Sequence, residues 1–116
     1  MFIKFINWID KEAEEASVVI TDGTHECLAF CHPCRIKVGD SLTLPLQSFS
    51  EKGVVSVDAR TVSEVVRQNG SGSWSHKVVA VIEDKDSKII AVGGIKIALN
   101  QLPGDLKNGD TIECYP

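Results

Sequence analysis

The side chains best able to do chemistry crowd into residues 25–34, where His25-Glu26-Cys27 is followed by Cys31-His32-Pro33-Cys34. Thiolates and imidazoles at such short spacing are the raw material of a zinc site. Strand geometry limits that reading. On one strand Cys27 and Cys31 share a face but sit about 13 Å apart at roughly 3.3 Å per residue, too far to share an ion held about 2.3 Å from each sulfur. A tight turn at His32-Pro33 would bring Cys31 and Cys34 together, leaving Cys114, His76 or His25 to complete the set. Cys31, Cys34 and Cys114 are therefore the metal candidates. The preferred expectation is no metal and no cofactor, with Cys27 and Cys31 as small core residues, because free cysteine is among the most buried residue types. Thiol redox chemistry would require a strand-helix-strand setting that does not surround this pair.

Nucleophilic catalysis needs a hydroxyl or thiol within reach of a base that a third group orients, and no spacing in the chain announces one. Asp40 and Asp110 have a sufficient role in turns. No catalytic residue is assigned, and the expectation is a non-enzymatic binding module. Binding of single-stranded nucleic acid would draw on aromatic side chains for stacking and cations for phosphates. The chain offers Trp8, Phe30, Trp74 and Tyr115 with Arg35, Lys37, Arg60, Arg67 and Lys77. Phe30 reads as core. Trp74, beside the loop Asn69-Gly70-Ser71-Gly72-Ser73, is the stacking candidate, and Arg35, Lys37, Trp74 and Lys77 form the candidate ligand site. The net charge of -4 repels polyanions overall, so such a site must be a local basic patch. The alternative is a protein-interaction or assembly module, using the apolar N-terminal segment and exposed strand edges.

The elements that must carry these residues read as strands. At Asp22-Gly23, a dipeptide suited to a tight hairpin turn, two β-prone runs meet. A second hairpin spans residues 76–99, its apolar runs 78–82 and 89–97 joined by the polar connector 83–88. Gly93-Gly94 interrupts the later run and predicts a bulge or bend where a sheet coils into a barrel. Residues 2–10 read as a first strand followed by an acidic turn over 10–15. Residues 54–68 fit a short helix capped by Asp58 and strands equally well. Lys37-Val38-Gly39-Asp40-Ser41-Leu42 is echoed by Lys107-Asn108-Gly109-Asp110-Thr111-Ile112, which is either common turn chemistry used twice or a pseudo-repeat of hairpin plus strand.

The order Val18-Val19-Ile20-Thr21-Asp22-Gly23-Thr24-His25-Glu26-Cys27, then Val38-Gly39-Asp40-Ser41-Leu42, resembles the first part of many oligonucleotide/oligosaccharide-binding (OB) domains. The likeness covers about residues 2–46 and is one of fold. It implies an all-β single domain over residues 1–116, an OB-like closed or partly open barrel of five to eight strands with at most one short helix. It also implies a ligand across the second and third strands, although that stretch has no lysine or arginine before Arg35. No apolar run approaches the roughly 20 residues of a membrane helix, and the N-terminus lacks the pattern of a secretory signal. A cytoplasmic protein with reduced thiols is the expectation.

Overall fold

In the computed structural model, residues 1–48, 52–58, 60–67 and 76–115 are described, and they form ten β-strands and no helix. These are β1 (Phe2–Asp10), β2 (Glu15–Thr21), β3 (Glu26–Cys31), β4 (Leu46–Gln47), β5 (Lys52–Ser56), β6 (Glu64–Arg67), β7 (His76–Asp84), β8 (Ile89–Val92), β9 (Ile95–Ala98) and β10 (Thr111–Tyr115). One sheet has the order β1-β2-β3 and the other the order β4-β9-β8-β7-β10-β5, with β6 also pairing with β7. All pairings are antiparallel except β4 with β9.

Strand β7 explains the larger sheet. Val78, Val79, Ala80 and Ile82 are all buried, and a strand apolar on consecutive residues must be covered on both faces. Its neighbours supply the edges: β10 runs along one side, and β6 and then β8 share the other. In the smaller sheet β2 alternates, burying Ala16, Val18 and Ile20. These meet Ile82, Ile90, Val92, Ile95 and Ile112 in one continuous core. His76 joins the sheets, its ring Nε2 accepting the backbone N–H of Leu28 at 3.0 Å.

The Lys-x-Gly-Asp echo is a structural repeat. Lys37 N–H bonds Asp40 Oδ2 at 2.8 Å and Lys107 N–H bonds Asp110 Oδ2 at 2.9 Å. Each turn then clips onto the first strand of its own hairpin. Gly39 N donates to Ile3 O and Ile3 N to Asp40 O; Gly109 N donates to Ile82 O and Ile82 N to Asp110 O. Both glycines have φ of 92°, which a side chain would resist. The hairpin tips match as well: Asp10 Oδ1 accepts from Glu12 and Ala13 N–H, as Asp84 Oδ1 does from Asp86 and Ser87. Glu14 and Lys88 both hold positive φ, at 57° and 58°. The units differ in length. Six residues separate Ile3 from Asp10 where one separates Ile82 from Asp84, so the first hairpin reaches beyond its counterpart.

Several expectations are corrected. Neither sheet closes on itself, so the single barrel gives way to two open sheets over a shared core. Gly93-Gly94 is no bulge within a strand but the turn joining β8 to β9, with Val92 opposite Ile95. Residues 54–68, which the sequence left open between a helix and strands, hold the end of β5 and β6, within the described positions. Asp58 instead closes a turn through Arg60 N–H at 2.8 Å. After the first Lys-x-Gly-Asp turn only Ser41 makes a strand-like bridge, to Phe2.

The Gly-Gly turn yields a test. A Cβ on Gly93 would clash with Asp22 Oδ2 and lie 3.1 Å from His25 Nδ1, at a φ of +57°. Gly109→Ala meets no described atom within 4 Å and carries only the backbone cost. Urea denaturation is expected to show Gly109→Ala losing about 1–2 kcal/mol and Gly93→Ala losing more, about 2–4 kcal/mol. Equal losses would contradict the close packing at Gly93.

Candidate functional site

Among the described residues the most connected side-chain carboxylate is that of Asp22, in the turn between β2 and β3. Its Oδ1 accepts the N–H of Thr24 at 2.9 Å and of His25 at 2.6 Å. Its Oδ2 accepts Gly94 N–H at 2.8 Å and faces His25 Nδ1 at 3.2 Å. The side chain is only 11% exposed. That partial burial works to raise its pKa, but the N–H groups of His25, Gly94 and Thr24, with the His25 ring, outweigh it and hold the carboxyl far below the usual range. A carboxylate beside a histidine suggests acid-base chemistry. Here both oxygens are committed to holding two turns together, and the neighbouring Thr21 hydroxyl is committed too, donating to His25 O at 2.7 Å and accepting Gly23 N–H at 2.9 Å.

Of the two cysteines expected in the core Cys27 is buried, but Cys31 at the end of β3 is only partly so, and Cys34 is buried instead. Cys27 faces the core from β3, Cys114 is buried in β10 opposite Val78, and Cys31 and Cys34 are close enough to share a hydrogen bond. Burial pushes the Cys27 thiol up to about 12. Burial, then the Cys34 contact, raises Cys31 to about 11. None is in a disulfide, and no group of three or more His, Cys, Asp or Glu side chains could hold a metal among the described residues. At neutral pH Cys27 and Cys31 are thiols, the unreactive form.

The four residues expected to bind a ligand fare differently. Arg35 is held by Glu14, Nε to Oε2 at 2.9 Å, at the tip of the first hairpin. That bond lowers the Glu14 pKa and raises that of Arg35. Lys77 pairs with Glu113 at 3.6 Å, across β7 and β10. Lys37 opens the first Lys-x-Gly-Asp turn. Trp74 and the loop 69–73 lie outside the described residues. Arg35 and Lys77 thus each serve a carboxylate on a different element. Phe30, expected in the core, is 43% exposed and stacks on His32 with ring centroids 6.3 Å apart.

The sequence offered Trp8 as an aromatic and the apolar N-terminal segment as a contact surface, and among the described residues strand β1 is a conspicuous exposed apolar feature, with Phe5 and Ile9 not singled out beforehand. Phe5 is 57% exposed, Ile9 54% and Trp8 38%, with Phe2 also exposed and the Lys11 ammonium 5.9 Å from the Trp8 ring. β1 is the edge strand of its sheet. Residues 39–42 cover its outer edge only at Met1 and Ile3. Beyond that, no described strand pairs with it. The direction of its backbone groups follows from the register. Leu28 N–H points away from β2 toward His76, so Val19, opposite it, turns its N–H and C=O toward Phe5 of β1. Phe5 therefore faces β2, and Ile6 and Trp8 present theirs outward. The signal was in the sequence: Phe5 lies opposite Val19 while Ile6 and Trp8 lie opposite the buried Val18 and Ala16, so β1 is apolar on both faces, and only one face of an outer sheet can meet the core.

No protein-family model, no curated protein and no solved structure matches this chain. No described helix is long and apolar enough to cross a membrane.

Two outcomes are expected. A carboxyl with a lowered folded pKa stabilises the fold above its unfolded value, about 3.9, and that contribution is lost as pH falls below it. Asp22→Asn is expected to cost about 1–3 kcal/mol at pH 7, by leaving Gly94 N–H facing an amide donor. In urea titrations the gap from wild type should narrow below about pH 4; a gap constant down to about pH 2 would contradict this account. The thiols of Cys27 and Cys31 should react with an aromatic disulfide reagent far more slowly in the native protein than in denaturant at pH 7.5, with Cys31 ahead of Cys27. Fast native labelling of Cys27 would overturn the assignment.

Proposed function

We propose that the protein is a non-enzymatic binding module that takes up an extended polypeptide segment as an additional strand along β1. The observation that carries this reading is the outer edge beyond Ile3, with outward backbone groups at Ile6 and Trp8 and exposed apolar side chains at Phe5, Trp8 and Ile9. Strand addition draws affinity from main-chain hydrogen bonds and specificity from alternate side chains. Exposed edges are normally blunted, and a long apolar one on a folded domain marks a place of contact.

Charge supports a protein partner over nucleic acid. The chain carries -4, Arg35 and Lys77 are already paired, and the outer face of β2 and β3 offers Ser17, Val19, Leu28 and Phe30 rather than cations. An OB-type ligand lying across those strands would meet an apolar surface.

Selection from a random-peptide library tests the reading. Bound peptides should alternate apolar residues, slow amide exchange at Ile6 and Trp8, and bind about tenfold more weakly to Phe5→Ser/Ile9→Ser, as loss of about 1.4 kcal/mol implies. Selection of no peptide, or binding that leaves Ile6 and Trp8 unprotected, refutes it.

A further inference from the structure

Resting on that reading, we infer that the strand accepted by β1 is β1 of a second copy of this chain, antiparallel, with the two-fold axis passing through Asn7. Backbone parity restricts the choice. Outward groups must meet outward groups, so Ile6 and Trp8 can pair only with Ile6 or Trp8 of the second copy, or with the ends of the strand. A register centred on Ile6 would set Phe5 against Asn7, and one centred on Trp8 would set Asn7 against Ile9. Centring on Asn7 sets Ile6 against Trp8 and Phe5 against Ile9, so that every exposed apolar side chain of the strand's middle meets an apolar one.

The same register sets Lys4 against Asp10 at both ends. Lys4 now reaches Glu26 at 2.9 Å on the surface, and its three donors allow a second carboxylate. Such a rim pair fixes register more than it adds affinity. Sequence and edge are thus self-complementary, as an isologous interface demands, and that symmetry closes at two chains. Lys4 and Ile9 are the unpaired residues at the Ile3/Phe5 and Trp8/Asp10 bulges, so the regular ladder runs over residues 5–8 and the Phe5–Ile9 and Lys4–Asp10 contacts lie at its ends. The surplus length of the first hairpin over its counterpart carries this stretch clear of residues 39–42.

Cysteine cross-linking reads the register directly. Asn7 would oppose its own copy as a non-hydrogen-bonded pair, with Cα atoms about 4.5 Å apart, inside the disulfide range of about 4.4–6.8 Å. Under mild oxidation Asn7→Cys should give a covalent dimer. Phe5→Cys or Ile9→Cys alone should not, whereas their mixture should cross-link. Wild type under the same conditions controls for the native cysteines. Sedimentation velocity should show wild type as a dimer that dissociates on dilution and Phe5→Ser/Ile9→Ser as a monomer. Wild type monomeric at all concentrations, or Asn7→Cys linking no faster than Phe5→Cys, overturns the second-copy proposal. Library peptides that still protect Ile6 and Trp8 in that case leave the strand-addition reading standing; without them both fall.

Discussion

Four polar contacts, three backbone N–H groups and the His25 ring, converge on the Asp22 carboxylate, and the position of the second unit relative to the first depends on them. Three belong to its own turn and fix the link between β2 and β3. The fourth, Gly94 N–H, comes from the corresponding turn between β8 and β9. A charged acceptor shared in this way is stronger than a neutral bond and leaves no room for error in position. It also dictates sequence at a distance, since Gly93 and Gly94 must lack side chains because Asp22 and His25 occupy the space. The core continues the same logic, for Ile20 and Val92 lead into these two turns and are both buried.

Around that junction the two units repeat one plan: a hairpin with an aspartate-capped tip, a second turn, and a Lys-x-Gly-Asp clip returning to the first strand. They then diverge in what covers that strand. In the second unit β10 continues from the clip and runs along β7 from Val81 to Val78. In the first the chain leaves after the Ser41 bridge, and β1 extends in the other direction, outward. The same local rules therefore give a strand paired along both edges in one unit and an open edge in the other. Apolar residues at consecutive positions are core in β7 and surface in β1 for this reason alone.

This divergence explains what the sequence made legible. Turns are written locally, and Asp22-Gly23, the acidic tip after residue 10 and both Gly-Asp clips stand where their residue types put them, as does the strand that separates Cys27 from Cys31. Closure is not written locally. Nothing in residues 89–98 distinguishes a bent strand from two strands about Gly93-Gly94; the difference lies in Asp22, far along the chain. Phe30 has the composition of a core residue and lies on the outer face, because facing is decided by the register with β2. Among the candidate cations, proximity in sequence gave Arg35 and Lys37 a common neighbourhood, and Glu14, brought across by the hairpin, pairs with the first of them, a contact that no local pattern announces.

The distribution of satisfied and open groups also orders the functional readings. Asp22, Thr21 and the His76 ring nitrogen, which have the chemistry of an active centre, are committed to fold-holding bonds, and the Cys27 and Cys31 thiols are kept protonated by burial. Recruiting Asp22 for catalysis would first break the junction between units. Strand β1 bears the opposite relation to the fold, because its inner backbone groups hold the sheet while its outer ones, at Ile6 and Trp8, take no part in it. A partner that satisfies those groups and covers Phe5 and Ile9 asks for no rearrangement of the core. Binding there costs the fold nothing, which is the physical ground for proposing the edge rather than the polar cluster beside His25.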